Sequence, residues 1–174
     1  SLQGEGRLLY IATMYPYKWN TTEIDPETMQ RIERHRAMRA DKGFDTVECY
    51  RHVEHIVAKR QDVLLLECMS NLLANEMYLE PDSNAGSDMA ETMSPVSNKI
   101  VQALIDLSTR VQELVIVTND VFSDGGSLTY DESTREYVKN LAEINCALAR
   151  EAATVTEVVC GIPVIVKKNH PTGK

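Results

Sequence analysis

The sequence predicts an α/β fold with a mainly parallel β-sheet and helices on both of its faces. Three observations support this prediction: short continuous apolar runs, longer amphipathic or capped segments, and the alternation of the two along the chain. A tight turn near the C-terminus predicts an antiparallel strand at one edge of the sheet. The 174 residues suit one domain. We expect that domain to span residues 4–168, followed by a polar tail at residues 169–174.

The strands are predicted from apolar runs that are short and uninterrupted, as expected for strands buried on both faces. The strongest are residues 8–13, 63–68 and 114–118, and residues 44–49 form a weaker candidate. Near the C-terminus, the runs VTEVVC and PVIVK flank the turn Gly161-Ile162-Pro163. These patterns predict a central parallel sheet with the C-terminal pair at its edge.

The helices are predicted from capping residues and from apolar spacing. Asp25 suits the N-cap of the first helix, Pro26 suits its first position, and Gly43 suits the end of that segment. Further segments with helical patterns are residues 50–60, 70–79, 99–112 and 133–153. Residues 80–95 and 122–130 are rich in polar residues and glycine, which predicts surface loops.

Composition excludes several classes of protein. The formal net charge of -8, from 18 basic and 26 acidic residues, argues against broad binding to nucleic acid or membrane surfaces. It leaves room for a small basic pocket. The apolar runs are shorter than the roughly 20 residues of a membrane span, and the N-terminus lacks the pattern of a secretory signal. We therefore expect a cytoplasmic protein.

The cysteines are too widely spaced for a C-x-x-C motif. They predict reduced, buried thiols, with a disulfide or a zinc site as the alternative. They are Cys49, Cys68, Cys146 and Cys160.

Polar residues follow two of the strong strands. Glu67 ends one apolar run, and Thr118 and Asn119 end another. Ligands of open α/β sheets bind beyond the carboxyl ends of the strands, so Glu67 is a candidate to hold Mg²⁺ or a ribose hydroxyl. The alternatives are a solvated acid at Glu67 and a turn or helix cap at Thr118 and Asn119.

A basic cluster surrounds one histidine. Arg31, His35 and Arg39 are spaced i, i+4 and i+8, so they share one face of a continuous helix. A neutral imidazole can attack phosphorus, and guanidinium groups beside it would stabilise phosphate charge. The alternative is a solvated basic face. His52 and His55 could hold a metal ion at i, i+3, but exposed histidines are the simpler interpretation.

Several segments together resemble the cobinamide kinase / cobinamide-phosphate guanylyltransferase family of cobalamin biosynthesis. The stretch from Met29 to Arg39 resembles the family's R-I-x-x-H-x-x-x-R signature, and Phe44-x-Thr46-x-Glu48 stands where the family has W-x-T-x-E. Other matching elements are Leu9-Tyr10-Ile11-Ala12-Thr13, Leu64-Leu65-Leu66-Glu67-Cys68 with Asn71 and Asn75, Val117-Thr118-Asn119-Asp120-Val121, Arg135-x-Tyr137, and Gly161-Ile162-Pro163 with Lys167.

The resemblance implies a P-loop-NTPase-like α/β domain in a homotrimer, with two activities. The family phosphorylates adenosylcobinamide and then transfers GMP from GTP to that phosphate through a guanylylated histidine. His35 stands at that histidine's position, and Arg31, Arg39, Glu67, Thr118 and Asn119 would bind the nucleotide. GTP (or ATP) would be a substrate and Mg²⁺ the metal ion, at Glu67. The partner would be adenosylcobinamide or its phosphate.

The sequence departs from the family pattern in three places. The family's first strand, its phosphate-binding loop and the helix that follows have no counterpart in it, and it contains no G-x-x-x-x-G-K-[ST] motif. Lys139 stands where the family has an acidic residue, and the glycine-rich loop after Asn119 differs. The leading expectation is a cobalamin-pathway transferase that works through His35. The alternatives are a truncated or degenerate non-catalytic relative that binds nucleotide or corrinoid, and another small-molecule kinase.

Overall fold

A computed structural model describes residues 6–19, 21–79, 93–121 and 130–169. In chain order these residues form β1 (Leu8–Ala12), α1 (Pro26–Arg39), β2 (Phe44–Glu48), β3 (Val63–Glu67), α2 (Met69–Tyr78), α3 (Pro95–Arg110), β4 (Glu113–Val117), α4 (Glu132–Glu151), β5 (Thr154–Val159) and β6 (Ile162–Lys168). A short 3-10 turn at Val53–His55 follows β2. Most of the two predicted surface loops lies outside the described residues.

The central sheet has four strands in the order β2-β1-β3-β4, and every neighbouring pair is parallel. The predicted α/β class and the parallel sheet are therefore confirmed. Because all four strands run in the same direction, their carboxyl ends meet at one rim of the sheet.

The two faces of the sheet carry different side chains, since successive residues of a strand point to opposite sides. Leu9, Ile11, Leu64 and Leu66 are fully buried and belong to one hydrophobic core with residues of α2, α3 and α4. Tyr10 points to the other face, where α1 lies. The sheet is thus flanked by helices as predicted, and α1 stands apart from the other three.

Helix α1 begins where the sequence predicts. The side chain of Asp25 accepts a hydrogen bond from the backbone N–H of Thr28, and Pro26 occupies the first turn. No residue of α1 is buried. The helix lies above the sheet as a partly exposed wall, and this position leaves its inner side chains free to line a cavity.

The C-terminal strands differ from the expectation in one respect. β5 and β6 pair antiparallel, as predicted, but they form a separate two-stranded sheet. The turn consists of Cys160 and Gly161, which both have positive φ (51° and 80°), as a two-residue type I′ turn requires. Ile162 and Pro163, expected in the turn, lie in β6.

Residues 50–60 are a clear correction, because their apolar spacing had indicated a helix. The structure has only the 3-10 turn there, and Val57 is 87% exposed. The backbone of this segment is bound by side chains of α2 instead. The amide of Asn75 donates to the carbonyl of Tyr50 at 2.9 Å, and the N–H of His52 donates to Glu76 at 2.7 Å. These bonds replace those that a helix would have made.

The buried carboxylate of Asp62 joins the starts of β1 and β3. It accepts hydrogen bonds from the backbone N–H and the guanidinium of Arg7, and from the N–H of Lys59. Gly6 permits this close approach, because a Cβ there would lie 1.8 Å from the carbonyl oxygen of Gln61. The hydrogen bonds from Arg7 hold the pKa of Asp62 well below its ordinary value.

We expect this carboxylate to make folding stability depend on pH in the acid range. A depressed pKa in the folded state means that the stabilisation is complete above the unfolded-state pKa of about 3.9 and is lost as the pH falls below it. At about pH 7, the urea midpoint of Asp62→Asn should be lower than that of wild type. Between about pH 7 and about pH 3, the midpoint of the variant should fall less than the midpoint of wild type does. Asp106→Asn, at an exposed position on α3, serves as the control. Parallel pH curves for wild type and Asp62→Asn would contradict this account.

Candidate functional site

A cavity of about 350 Å³ lies at the carboxyl ends of the parallel strands. Its floor is formed by the ends of the strands and the start of α2, and its upper wall is formed by α1. The lining residues are Tyr10, Ala12, Thr13, Met14, Pro16, Tyr17, Ile24, Met29, Arg31, Ile32, His35, Arg36, Arg39, Glu48, Tyr50, Glu67, Cys68, Ser70, Asn71 and Asn119. This is the rim where open α/β sheets bind ligands.

The basic cluster lines this cavity from above. Helix α1 continues to Arg39, so Arg31, His35 and Arg39 lie on one helical face and all contribute to the lining. His35 and Arg39 are half-buried, and Arg31 is exposed. The structure therefore brings together the basic residues that the sequence singled out, as the i, i+4, i+8 spacing predicts.

His35 faces the carboxylate at the end of β3. Its Nδ1 lies 3.6 Å from Oε1 of Glu67, which is too long for a hydrogen bond but close enough for attraction once the ring is charged. The other carboxylate oxygen of Glu67 accepts a hydrogen bond of 2.6 Å from the hydroxyl of Tyr10. Burial and this bond to Glu67 raise the pKa of Tyr10, so its hydroxyl stays protonated and keeps Glu67 oriented.

Arg39 completes the contacts around Tyr10. Its guanidinium carbon lies 3.6 Å from the centroid of the Tyr10 ring, a cation–π contact that fixes the guanidinium plane. Its Nε is buried and has no hydrogen-bond partner among the described residues. A buried donor without a partner is costly. The residue as a whole lines the cavity, so its guanidinium is a candidate to bind an anionic oxygen there.

The strand ends are pinned together by two buried polar side chains. The hydroxyl of Thr13 donates to the carbonyl of Cys68 at 2.9 Å and accepts from the N–H of the same residue. The amide of Asn75 donates to the carbonyls of Thr13 and Tyr50. These bonds hold the ends of β1, β2 and β3 in fixed relative positions, and they make the cavity floor rigid.

The cavity also contains residues that reasoning from the sequence did not single out as functional. Arg36 forms an ion pair with Glu48 at the end of β2, and Glu48 accepts a hydrogen bond from the hydroxyl of Tyr50 at 2.8 Å. Glu48 stands in the matched family segment, and that position was the available signal. Since Arg36 is neutralised by Glu48, Arg31 and Arg39 are the cations left for a ligand on this wall.

The two polar residues after β4 take different positions. Asn119 lines the cavity and accepts a hydrogen bond of 3.1 Å from Ser70. Thr118 does not line the cavity and donates to the side chain of Asn145 on α4 at 2.7 Å. Asn119 thus stays a candidate ligand-binding residue, whereas Thr118 fixes α4 against the end of β4.

Apart from Cys68, the remaining candidates lie outside the cavity lining. His52 and His55 stack with ring centroids 5.7 Å apart, and in the part of the chain that the structure describes no three His, Cys, Asp or Glu side chains are grouped to hold a metal ion. All four cysteines are free thiols, but Cys146 and Cys160 are exposed, which corrects the expectation of buried thiols. Burial raises the pKa of Cys49 to about 11, so this thiol is not a nucleophile at neutral pH.

The fold and the cavity together define a class: an α/β protein with a P-loop-like fold and a ligand site at the carboxyl ends of its strands. More narrowly, the chain belongs to the family described as cobinamide kinase / cobinamide phosphate guanyltransferase, whose model matches residues 2–166. That family acts in cobalamin biosynthesis on cobinamide and nucleotides. No curated protein matched the chain. Among the described residues, no helix is both long and apolar enough to cross a membrane.

Proposed function

We propose that this protein transfers GMP from GTP to adenosylcobinamide phosphate, in the cytoplasm, through a guanylylated His35. The observation that carries the proposal is the position of His35 in the strand-end cavity. It faces Glu67, and Arg31 and Arg39 lie one helical turn away on either side. A histidine nucleophile has no role in direct phosphoryl transfer, so this arrangement favours the guanylyltransferase activity of the family over its kinase activity.

The contacts of Glu67 supply a reason for His35 to be nucleophilic. With the Nδ1 side of the ring facing the carboxylate, a proton on Nδ1 is favoured, and Nε2 then carries the lone pair. When Nε2 bonds to phosphorus, the ring gains positive charge, and Glu67 stabilises that charge at a distance of 3.6 Å. Tyr10 acts as a positioning residue, because its hydroxyl holds the carboxylate in place.

The reaction proceeds in two displacements. Nε2 of His35 attacks the α-phosphorus of GTP, the bond from that phosphorus to the bridging oxygen breaks, and pyrophosphate leaves with the electron pair. A phosphate oxygen of cobinamide phosphate then attacks the same phosphorus. The phosphorus–nitrogen bond breaks, and its electron pair returns to Nε2. The product is GDP-cobinamide, and His35 is regenerated.

The charge on the phosphates is offset by groups on α1. Arg39 offers a guanidinium held against Tyr10 in the cavity lining, and the exposed Arg31 offers a second cation there. Preorganised donors stabilise transition-state charge without reorganising. Arg39 is therefore the main candidate for a phosphate oxygen near His35.

Glu67 also fits the role of a magnesium ligand. Mg²⁺ is held in nucleotide sites by one or two carboxylates, and water and phosphate oxygens complete its shell, so the single carboxylate of Glu67 with substrate phosphates would suffice. When bound, the ion would neutralise charge on the phosphates.

Covalent labelling tests the proposed function. The protein is incubated with GTP carrying a labelled α-phosphate, denatured, and digested, and the modified peptide is identified by mass spectrometry. We expect the label on His35, labile in acid and stable in base as a phosphoramidate is. Binding of GTP with no label at His35 would overturn the transfer reaction and favour a non-catalytic nucleotide-binding relative.

We also propose that the protein is a homo-oligomer, with the family's trimer as the expected form, and that the hairpin β5–β6 contacts a second copy. An isolated two-stranded hairpin is marginal in water. Here the hairpin exposes large apolar side chains on both faces, at Val158, Val159, Ile162, Val164, Ile165 and Val166. Lys167 connects the hairpin to the rest of the protein, because its ammonium donates hydrogen bonds to the carbonyls of Ala149 and Arg150 near the end of α4.

Light scattering at micromolar concentration should therefore give a mass well above the 19.6 kDa of one chain. Ile165→Asp should shift the mass toward the monomer, because it places a charge in an apolar interface. Val57→Asp is the matched control, since Val57 is more exposed than Ile165 (87% against 60%) and is not part of the hairpin. A monomeric wild type would end this proposal.

A further inference from the structure

An aromatic shelf extends outward from the mouth of the cavity. It consists of Tyr15, Tyr17, Trp19, Tyr50 and Tyr78, drawn from the loop after β1, the segment after β2 and the end of α2. The ring of Tyr15 lies 5.4 Å from those of Tyr17 and Tyr50 and 6.5 Å from that of Trp19, centroid to centroid. Trp19 in turn lies 6.2 Å from Tyr78. The rings therefore form one continuous cluster.

The shelf joins the cavity to a second hollow. Tyr17 and Tyr50 line the strand-end cavity. Trp19 and Tyr78 line an open groove of about 530 Å³ together with Tyr137 and two small side chains, Ala74 and Thr134. The two hollows share no lining residue, and the ring contacts of Tyr15 connect them.

Three of the five shelf residues are much more exposed than core aromatic residues, whereas Tyr15 and Tyr50 are half-buried. Trp19 is 51% exposed, Tyr17 38% and Tyr78 37%. A contiguous apolar surface next to a ligand cavity indicates a binding surface. Its ligand should be large and uncharged over most of its area, because the shelf itself consists of neutral rings.

Resting on the proposed function, we infer that the shelf binds the corrin macrocycle of the cobinamide substrate. The cavity of about 350 Å³ is near the lower end for drug-sized ligands, so it can take the phosphate-bearing arm but not the macrocycle. With the phosphate beside His35, the macrocycle must lie outside the mouth, where Tyr17 and Tyr50 lead onto the shelf. Its conjugated, methyl-rich surface suits aromatic rings, and its neutral amide side chains suit phenol and indole hydrogen-bonding groups.

A guanine base is a poorer match to the shelf. A base stacks on the face of one ring or between two parallel rings. Here three of the four ring pairs meet at 60° to 89°, edge to face, and leave no parallel slot. The shelf also extends from the cavity as far as Tyr78 on α2, farther than one base would cover.

Trp19 is the single tryptophan of the chain, which makes the inference directly measurable. Corrinoids absorb light where tryptophan emits, so dicyanocobinamide bound on the shelf should quench the fluorescence of Trp19 with saturation. Free tryptophan corrects for light absorbed by unbound ligand. We expect Tyr15→Ala and Tyr78→Ala each to raise the Kd by roughly tenfold, and Met38→Ala, at an exposed position on α1, to leave it unchanged.

A second measurement covers variants that lose the fluorescent group or the fold. Binding of dicyanocobinamide to Trp19→Ala is followed by equilibrium dialysis and visible absorption, and circular dichroism checks that the variant is folded. We expect this variant to bind dicyanocobinamide roughly tenfold more weakly than wild type. Labelling of His35 by GTP alone should be normal in all shelf variants.

The outcomes separate the two hypotheses. Normal cobinamide affinity in folded shelf variants whose His35 is still labelled would overturn the shelf and leave the transferase standing. If the shelf variants lose GTP labelling but bind cobinamide with unchanged affinity, the shelf binds the guanine base of GTP, and the inference is overturned. Shelf-dependent cobinamide binding in a wild type that is never labelled at His35 would support the corrin surface and overturn the transfer reaction.

Discussion

His35→Ala is expected to reduce covalent labelling by GTP below detection. The label forms only if a nucleophile displaces pyrophosphate from the α-phosphorus, and alanine removes that nucleophile instead of weakening it. The measurement is the fraction of protein labelled over time with excess GTP. GTP binding itself, followed by equilibrium dialysis, should change far less, because Arg31 and Arg39 stay in the cavity.

Two matched histidine variants control for this loss. His52→Ala and His55→Ala remove the stacked pair outside the cavity lining, and we expect both proteins to be labelled at the wild-type rate. Equal labelling of wild type and His35→Ala would show that another residue accepts the nucleotide. That result would end the assignment of His35 and leave the membership of the family untouched.

β1 and β3 were predictable because they are the inner strands of a parallel sheet. β4 was also expected to be buried on both faces, but it is an edge strand of the described sheet, and its Val115 and Val117 are 42% and 40% exposed. Residues 63–66 are apolar without interruption, since one face of β3 is buried and the other half-buried, and this pattern needs no knowledge of distant residues. The pairing of β5 with β6 was equally local, since it depends on the turn at Gly161. What the local pattern could not show is that the hairpin forms its own sheet, because that depends on its position relative to distant strands.

The failure at residues 50–60 has a similar cause. Val53 and Ile56 are buried, as apolar residues at helical spacing should be, but the backbone just before them, at Tyr50 and His52, is held by Asn75 and Glu76 of α2. Side chains more than 20 positions away thus decided the local structure. Tertiary bonds of this kind leave no periodic signal in the segment itself.

The sequence likewise predicted some features of the candidate site and not others. The location of the site could be predicted because parallel strands end at one rim of the sheet. Helical spacing predicted that Arg31, His35 and Arg39 lie on one face of α1. The contacts of Tyr10 with Glu67 and Arg39 did not follow, since they depend on how α1 crosses β1. The same limit applies to Thr118, whose contact with α4 could not be seen in its own segment.

Arg39→Met is expected to slow the labelling of His35 by roughly a hundredfold, the effect of losing one preorganised donor worth about 3 kcal/mol. The position of Arg39 over the ring of Tyr10 in the cavity lining makes it the best-oriented cation on the wall. Arg39→Lys should lose less, roughly tenfold, because the charge remains but the planar pair of donors does not. Single-turnover labelling with excess GTP measures both.

Slower labelling in Arg39→Met could arise from a lost phosphate contact or indirectly, from a shift of Tyr10 and Glu67. The variant Tyr10→Phe distinguishes these two causes. Phenylalanine keeps a ring beneath Arg39 but removes the hydroxyl that orients Glu67. If Arg39 binds a phosphate oxygen, Arg39→Met should raise the GTP concentration for half-maximal labelling and slow the step, whereas Tyr10→Phe should slow the step alone, by roughly tenfold. Arg34→Met, at an exposed arginine of α1 outside the cavity lining, should match wild type. Wild-type labelling by Arg39→Met would refute a phosphate role for Arg39 and leave it only the contact with Tyr10.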